Sequence, residues 1–253
     1  AMTFWRRPTV LISGLLATLV LVNRWRSKRQ SCVAFEVTQQ RTPRVWCSSS
    51  PKGSGDNKED LVAARFARCL FHSLQTAASV GQIIVNYKET IKDGEVVVCL
   101  APAQGGGPEP GTLNLPLGHA SLSGGTFSYA NCPANELEGK WAEIPSDHRK
   151  AHIGLAACVL LEDCAGRVLL LRRAAHMRTF PGAWVLPGGG VDPGEGVAAA
   201  AARELWEEAG VRVAPGSLRP VGLWESCYPT TAAAALSQAP FLAGHHLVVF
   251  LAG

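Results

Sequence analysis

Three glutamates stand together in one short segment of the chain. Glu204, Glu207 and Glu208 occupy positions i, i+3 and i+4, a spacing that places all three on one face of a helix. Like charges at this spacing repel each other by roughly 0.2–0.5 kcal/mol per pair, and a bound divalent cation best explains such a cluster without lysines around it. Hard oxygen ligands favour Mg²⁺ or Mn²⁺ over zinc, and such a cation can activate a water and stabilise charge on a phosphoryl group.

A glycine-rich turn precedes the glutamates. The triplet at 188–190 lets the backbone turn sharply and approach an ion or ligand closely. Arg203 can reach Glu207 one helical turn further on, or it can reach back to Glu195 and hold the loop against the helix. The segment therefore predicts a loop and helix that handle phosphate through a metal ion.

Residues 197–209 are predicted to form the helix that carries the glutamates. Strong helix formers fill this stretch, and Gly210 is placed to end it as a C-cap. The opposite face is small and apolar, which suits packing on a sheet. Its members are Ala198, Ala201, Ala202, Leu205 and Ala209.

Short apolar runs predict the strands of that sheet. They lie at 83–85, 96–100, 153–161, 167–173, 221–228 and 246–251. Residues 61–78 show helical spacing of apolar residues and predict a helix. Three tryptophans, Trp184, Trp206 and Trp224, are expected to pack in the core.

The segment from Gly189 to Val211 resembles the Nudix box of the Nudix hydrolase family. The matching positions are Gly189, Glu195, Arg203, Glu204, Leu205, Glu207, Glu208, Gly210 and Val211. The resemblance implies an α/β/α sandwich with a mixed sheet, which we expect to be C-terminally truncated at Gly253. It also implies Mg²⁺-dependent hydrolysis, with Mn²⁺ as the alternative ion, of a nucleoside diphosphate linked to another moiety. Water would attack a phosphorus of the diphosphate bridge.

The same resemblance implies roles for individual residues. By the family's pattern the three glutamates are catalytic and carry the metal ions, and a backbone carbonyl near Gly188 is a further ligand. Gly189, Glu195 and Arg203 support the loop against the helix. The general base varies within the family, so it stays open between a helix glutamate and an acid beyond Gly253.

Three further residues are candidates for binding the substrate. Arg172 and Arg173 end a predicted strand that borders the cleft in this fold, where one of them could bind a phosphate; surface arginines are the alternative. Tyr228 lies 17 residues past Val211, near the place where a tyrosine often marks dinucleoside polyphosphate hydrolases of the family, because its ring can stack on a base. A tyrosine in or beside the core is the alternative.

The charge distribution divides the chain. Residues 1–50 hold eight Lys/Arg and one acid, whereas the rest holds 16 basic and 19 acidic residues. Residues 51–253, which carry a small net negative charge, are thus expected to bind duplex nucleic acid poorly. A small nucleotide is the expected partner. We expect a leader at 1–50 outside the fold, an N-terminal region with one helix and short strands at 51–150, and an incomplete Nudix domain at 151–253.

The leader contains an apolar stretch within residues 8–23, flanked by arginines. It fits a membrane tether of the signal-anchor kind, an organelle transit peptide, or upstream sequence that is lost on maturation. The first two predict a membrane-anchored or organellar protein; otherwise the protein is expected in the cytoplasm.

The eight cysteines form no CxxC pair. A zinc ribbon or thioredoxin-like site is therefore not expected, and we expect no zinc and a reducing compartment without a disulfide framework.

Two other classes of function compete with the hydrolase. One is a non-catalytic module that binds and senses nucleotides, against which the intact glutamate set argues. The other is a membrane-tethered interaction protein that works through its N-terminal region, for which residues 61–150 supply no binding motif.

Overall fold

The computed structural model describes residues 2–6, 44–48, 61–64, 68–74, 82–92, 95–103, 108, 110–119, 122–123, 126–127, 132, 134, 152–177, 180–228 and 244–253. The strands of this part are β1 (Met2–Arg6), β2 (Arg44–Ser48), β3 (Leu61–Ala63), β4 (Gln82–Lys92), β5 (Glu95–Pro102), β6 (Leu113–His119), β7 (Leu122–Ser123), β8 (Thr126–Phe127), β9 (Gly154–Leu160), β10 (Arg167–Arg172), β11 (Trp184–Val185), β12 (Gly188–Gly190), β13 (Arg219–Tyr228) and β14 (Gly244–Ala252). The helices are α1 (Leu70–Ser73), α2 (Val197–Ala209) and a 3₁₀ turn at Pro215–Ser217.

One large mixed sheet organises these strands. Its nine strands follow the order β12-β9-β14-β13-β6-β4-β5-β2-β3. The β14–β9, β13–β6 and β2–β5 pairs are parallel, and the other pairs are antiparallel. A second sheet has the order β1-β10-β11, and β7 pairs with β8. The predicted α/β class with a mixed sheet is confirmed.

The predicted strands are all present, and in several of them buried side chains alternate with less buried ones. In β9 the side chains of Leu155, Ala157 and Val159 are buried while their neighbours are only partly covered. This period of two is the signature of a pleated strand with one face on the core. The hairpin of β4 and β5 is longer than the predicted 83–85 and 96–100.

Helix α2 forms over the predicted residues. Gly210 ends it with φ of 68°, a left-handed conformation that favours glycine, and its N–H donates to the Trp206 carbonyl at 2.9 Å. The buried positions lie on one face of the helix and are Val197, Ala200, Ala201, Leu205 and Ala209. Their small size lets the helix approach β9 and β12 closely.

The predicted helix at 61–78 is wrong for its first residues and too long, and residues 65–67 and 75–78 lie outside the described part of the chain. Leu61–Ala63 form strand β3 beside β2, and a helix of only four residues follows at Leu70–Ser73. Sheet pairing outweighs the helical propensity of this stretch, since propensity is a weak preference that tertiary context overrides.

The expectation that residues 1–50 lie outside the fold is wrong for two segments. The backbone of Met2–Arg6 pairs with β10. Arg44–Ser48 pairs with β5 and β3, and Val45 and Cys47 are buried in the core. The proposed membrane tether at 8–23 lies outside the described residues, and within the described residues no helix has the length and apolar character to cross a membrane.

Core packing is also the wrong expectation for two tryptophans. Trp184 and Trp206 are 42% and 43% exposed. The guanidinium of Arg212 lies 3.7 Å from the centroid of the Trp206 ring, a cation–π contact that shields part of the indole.

Glu89 of β4 caps the first turn of α2 from a distant part of the chain. Gly196, at the N-cap, has no side chain to accept a hydrogen bond. Instead the Val197 N–H donates to Glu89 Oε1 at 2.9 Å, and the Tyr87 hydroxyl donates to Glu89 Oε2 at 3.0 Å. A carboxylate here also stabilises the positive end of the helix dipole.

We expect Glu89→Ala to lower the free energy of unfolding by about 1 kcal/mol, because it removes both the acceptor and the charge. Glu89→Gln keeps an acceptor and should lose less. Urea denaturation of both variants checks this, with Thr90→Ala on the exposed side of β4 as the control. Equal stability of Glu89→Ala and Thr90→Ala would show that the cap contributes nothing.

Candidate active site

The glycine triplet forms β12, an edge strand that runs beside β9. A side-chain carbon on Gly188 would collide with the Ala157 carbonyl and lie 2.7 Å from the Cys158 Cα. One on Gly189 would lie 2.5 Å from the Glu204 carboxylate, whereas Gly190 faces open space. The first two positions therefore need glycine for close approach, one to a backbone and the other to a catalytic candidate.

The polar groups of Gly188 point toward the glutamates. The neighbouring Pro187 carbonyl accepts a hydrogen bond from Val159 N–H of β9 at 2.8 Å. In an antiparallel pair the next residue then turns its N–H and carbonyl away from the partner strand. Its N–H donates to Glu208 Oε2 at 3.0 Å, so its carbonyl faces the same side. The Gly188 carbonyl therefore lies in the region where a backbone metal ligand was predicted.

The three glutamates differ in their surroundings. Glu204 is 16% exposed and accepts from Arg203 Nη1 at 2.7 Å. Glu207 is 56% exposed, and its Oε2 lies 3.6 Å from the same nitrogen. Desolvation, and then the nearby charges of Glu204 and Glu207, raise the pKa of Glu208 above its ordinary value, although the Gly188 N–H acts in the opposite direction.

These residues fit a hard divalent cation by the chemistry of their donors. They offer carboxylate oxygens and one backbone carbonyl, which are the ligands of Mg²⁺ and Mn²⁺. A positive ion would relieve the charge repulsion that, after desolvation, raises the pKa of Glu208. Within the described residues the carboxylate oxygens of the three glutamates do not all lie within 4.8 Å of one another, so at least one of these side chains must rotate for all three to bind a single cation.

Arg203 fastens the loop to the helix. Its Nη2 donates to Glu195 Oε1 at 2.6 Å and to the Gly190 carbonyl at 2.9 Å. Hydrogen bonding, to Glu195 first and then to Glu204, raises the pKa of Arg203 further above its ordinary value. Glu195 Oε1 also accepts from the Asp192 N–H at 2.8 Å, which closes the loop before α2. Arg203 and Glu195 are thus brought together as predicted from their spacing.

We expect Arg203→Lys to lower the free energy of unfolding by about 1–2 kcal/mol, because one ammonium cannot reproduce the planar set of donors. Activity should fall as well, since Glu204 loses its partner. Denaturation curves and initial rates measure the two effects. Arg167→Lys is the matched control, because Arg167 pairs with Asp163 in an exposed turn; an equal loss in both variants would contradict the proposed support.

The two candidate phosphate-binding arginines lie in different surroundings. Arg172 is exposed, and its Nε donates to the Gly182 carbonyl at 3.2 Å. Arg173 lies near enough to Glu208 that its charge acts to lower the pKa of that carboxyl. Of the two arginines, Arg173 is the one whose charge acts on Glu208. Tyr228 ends β13 opposite Gly244, and its predicted stacking role concerns a side chain outside the described part.

Sequence reasoning missed two features of this region. Glu89 caps α2 although 108 residues separate it from Val197, and no local pattern marks it. The Cys158 thiol lies beneath Gly188 and is partly covered. Burial, with the nearby Glu208 and Glu204 charges, raises the pKa of Cys158 to about 11, so this thiol stays protonated at neutral pH.

The sequence of this region is similar to those of known proteins. Residues 152–250 match the family model of the NUDIX domain, and this segment of the chain is a Nudix domain. The chain is similar to m7GpppN-mRNA hydrolase NUDT17 of Bos taurus, with 32% identity over 192 residues, which are 69% of this chain and 61% of the relative. The Homo sapiens NUDT17 is 35% identical over 167 residues, or 58% of this chain and 48% of the relative.

The chain spans between 39% and 61% of the length of the NUDT17 relatives it matches. The resemblance to the Nudix family that the sequence predicted is confirmed by these similarities. Among solved structures, a MutT protein from Methanosarcina mazei Go1 is 27% identical over 44% of this chain and 64% of its own, with a TM-score of 0.30.

Proposed function

We propose that this protein is a Mg²⁺-dependent hydrolase that cleaves the diphosphate bridge of a nucleoside diphosphate linked to another moiety. The observation that carries the proposal is the placement of Glu204, Glu207 and Glu208 on the face of α2 that meets the edge strand β12. There the Gly188 N–H already holds one carboxylate, and the Gly188 carbonyl faces the same side.

Each residue has a separate task in this proposal. A bound Mg²⁺ or Mn²⁺ supplies a water of lowered pKa and stabilises charge on the phosphoryl group. The three glutamates and the Gly188 carbonyl hold the cation, and Arg203 with Glu195 keeps the loop in register with the helix. Arg173, close to Glu208, supplies a positive charge for a phosphate of the substrate.

A cap-like dinucleotide is the substrate class we favour. The support is the similarity to relatives named m7GpppN-mRNA hydrolase, together with a body that is acidic outside its first 50 residues. An acidic region of this kind would bind the phosphates of a small nucleotide through a bound cation. It lacks the net positive charge that favours binding to a nucleic-acid backbone.

A panel of substrates tests the proposal. The full chain is incubated with cap analogues, dinucleoside polyphosphates and sugar nucleotides, with and without Mg²⁺, and products are separated by anion exchange. The expected result is cleavage of a cap-like dinucleotide into two phosphorylated products only when Mg²⁺ is present. Tight binding of these compounds without turnover of any of them would contradict the hydrolase and favour the sensing module.

A further inference from the structure

A second cluster of potential metal ligands lies outside the candidate active site. Cys69 stands directly before α1, His119 ends β6, and Glu225 lies on β13, where it is the direct partner of His119 in the parallel pairing. Cys132 joins them from the segment after β8. All four side chains are buried, and one ligand atom from each lies within 4.8 Å of the others.

Two of the distances between these ligand atoms match the edges of a zinc tetrahedron. With Zn–S near 2.3 Å and Zn–N or Zn–O near 2.0 Å, the edges are about 3.3–3.8 Å. Glu225 Oε2 lies 3.4 Å from Cys69 Sγ and 3.4 Å from His119 Nε2. A third distance, from His119 Nε2 to Cys132 Sγ, is 3.0 Å, the length of a hydrogen bond, so these two side chains would separate by about 0.5 Å around a bound ion.

A second layer of contacts orients this cluster. Glu225 Oε1 accepts from the Leu70 N–H at 2.8 Å and lies 2.9 Å from His245 Nε2. This leaves Oε2 as the oxygen directed at Cys69 and His119. The Phe71 ring packs edge-on against the His119 imidazole, with centroids 5.6 Å apart. Outer partners that fix one ligand oxygen and one ring are typical of built metal sites.

We propose that Cys69, His119, Cys132 and Glu225 form a structural zinc site. Two thiolates, an imidazole and a carboxylate are a donor set for zinc in tetrahedral geometry, and four buried protein ligands leave no open position for a substrate. On binding, the two cysteine thiols release their protons to solvent and coordinate the ion as thiolates. The ion ties the start of α1 and the segment at 132 to β6 and β13.

The proposal reverses the sequence-based expectation of no zinc and does not depend on the proposed hydrolase function. The absence of CxxC pairs excludes only sites whose ligands are close in sequence. Here 156 residues separate Cys69 from Glu225, so the sheet rather than a local motif assembles the ligands. Cys227 Sγ, 3.8 Å from Cys132 Sγ, is an alternative thiol ligand.

Metal content of the purified chain tests the site. The full chain is prepared under reducing conditions, passed through a chelating resin and analysed by inductively coupled plasma mass spectrometry. We expect about one zinc ion per chain, reduced to a small fraction in Cys69→Ser and in Cys132→Ser. Cys164→Ser, at an exposed cysteine, and Glu207→Gln, in the candidate active site, should keep the wild-type content.

Cobalt substitution reports the coordination geometry and the thiolate ligands of the site. Co²⁺ added to the reduced wild-type chain should give intense tetrahedral d–d bands and thiolate charge-transfer absorption, and Cys164→Ser should give the same spectrum. A wild-type chain that binds neither zinc nor Co²⁺ through thiolates overturns the proposal. So does unchanged zinc content in Cys132→Ser, or a Cys132–Cys227 disulfide in peptides of the freshly purified wild-type chain.

Discussion

Glu208→Gln should lower the rate of hydrolysis by a factor of about 10²–10⁴. Metal ions contribute several kcal/mol of transition-state stabilisation to such reactions, and each 1.36 kcal/mol corresponds to a tenfold change in rate. Glutamine retains an oxygen that can accept from the Gly188 N–H but carries no charge for the cation. Glu207→Gln should lose activity on the same scale for the same reason.

The stability of these variants should change in the opposite direction. The metal-free protein holds three carboxylates on one helix face, and removing one charge relieves their repulsion. The melting temperature of metal-free Glu208→Gln should therefore equal or slightly exceed that of the wild type. Initial rates and thermal melts measure both quantities, with Glu162→Gln at an exposed glutamate as the control. Wild-type rates in Glu207→Gln and Glu208→Gln would refute the assigned roles.

Gly188→Ala should destabilise the fold by about 3 kcal/mol or more. Its Cβ would collide with the Ala157 carbonyl and lie 2.7 Å from the Cys158 Cα. Both obstacles are backbone atoms of a neighbouring strand, so a small side-chain movement cannot relieve the clash. Overpacking of this kind costs 1–3 kcal/mol, occasionally more, and Gly188 also has a φ of 158°.

The other two glycines of β12 provide matched comparisons. Gly189→Ala would bring its Cβ 2.5 Å from the Glu204 carboxylate, a side chain that can move. We therefore expect a clear loss of activity with little loss of stability. Gly190→Ala meets nothing within 4 Å and should resemble the wild type in both. Urea denaturation and rates on the three variants check this order; equal effects at all three positions would contradict it.

The elements around α2 could be predicted because their signals are local. The bounds of the helix, its Gly210 cap and the pairing of Arg203 with Glu195 all follow from spacing within a few turns of chain. The alternation in β9 and the apolar run of β14 are likewise visible in short windows. The same holds for the proposed metal-binding residues, which lie between Gly188 and Glu208.

The rest depends on contacts between distant parts of the chain. Glu89 becomes a helix cap only because β4 and α2 meet in the folded protein. The pairing of Met2–Arg6 with β10 and of Leu61–Ala63 with β2 likewise has no local signal that competes with helical or leader-like composition. The cluster around Glu225 is assembled by the parallel pairing of β13 and β6, which no spacing rule detects.

Hydrolysis of a cap-like dinucleotide in ¹⁸O-labelled water tests the central claim most directly. The three glutamates, placed beside the Gly188 backbone, are proposed to hold the cation that activates the attacking water. Mass spectrometry should therefore find two phosphorylated products, one of them with a single ¹⁸O atom on its terminal phosphate, only when Mg²⁺ or Mn²⁺ is present and not with Glu208→Gln. An intact dinucleotide after incubation with the wild-type chain and either cation, or cleavage that proceeds equally without a cation, would contradict it.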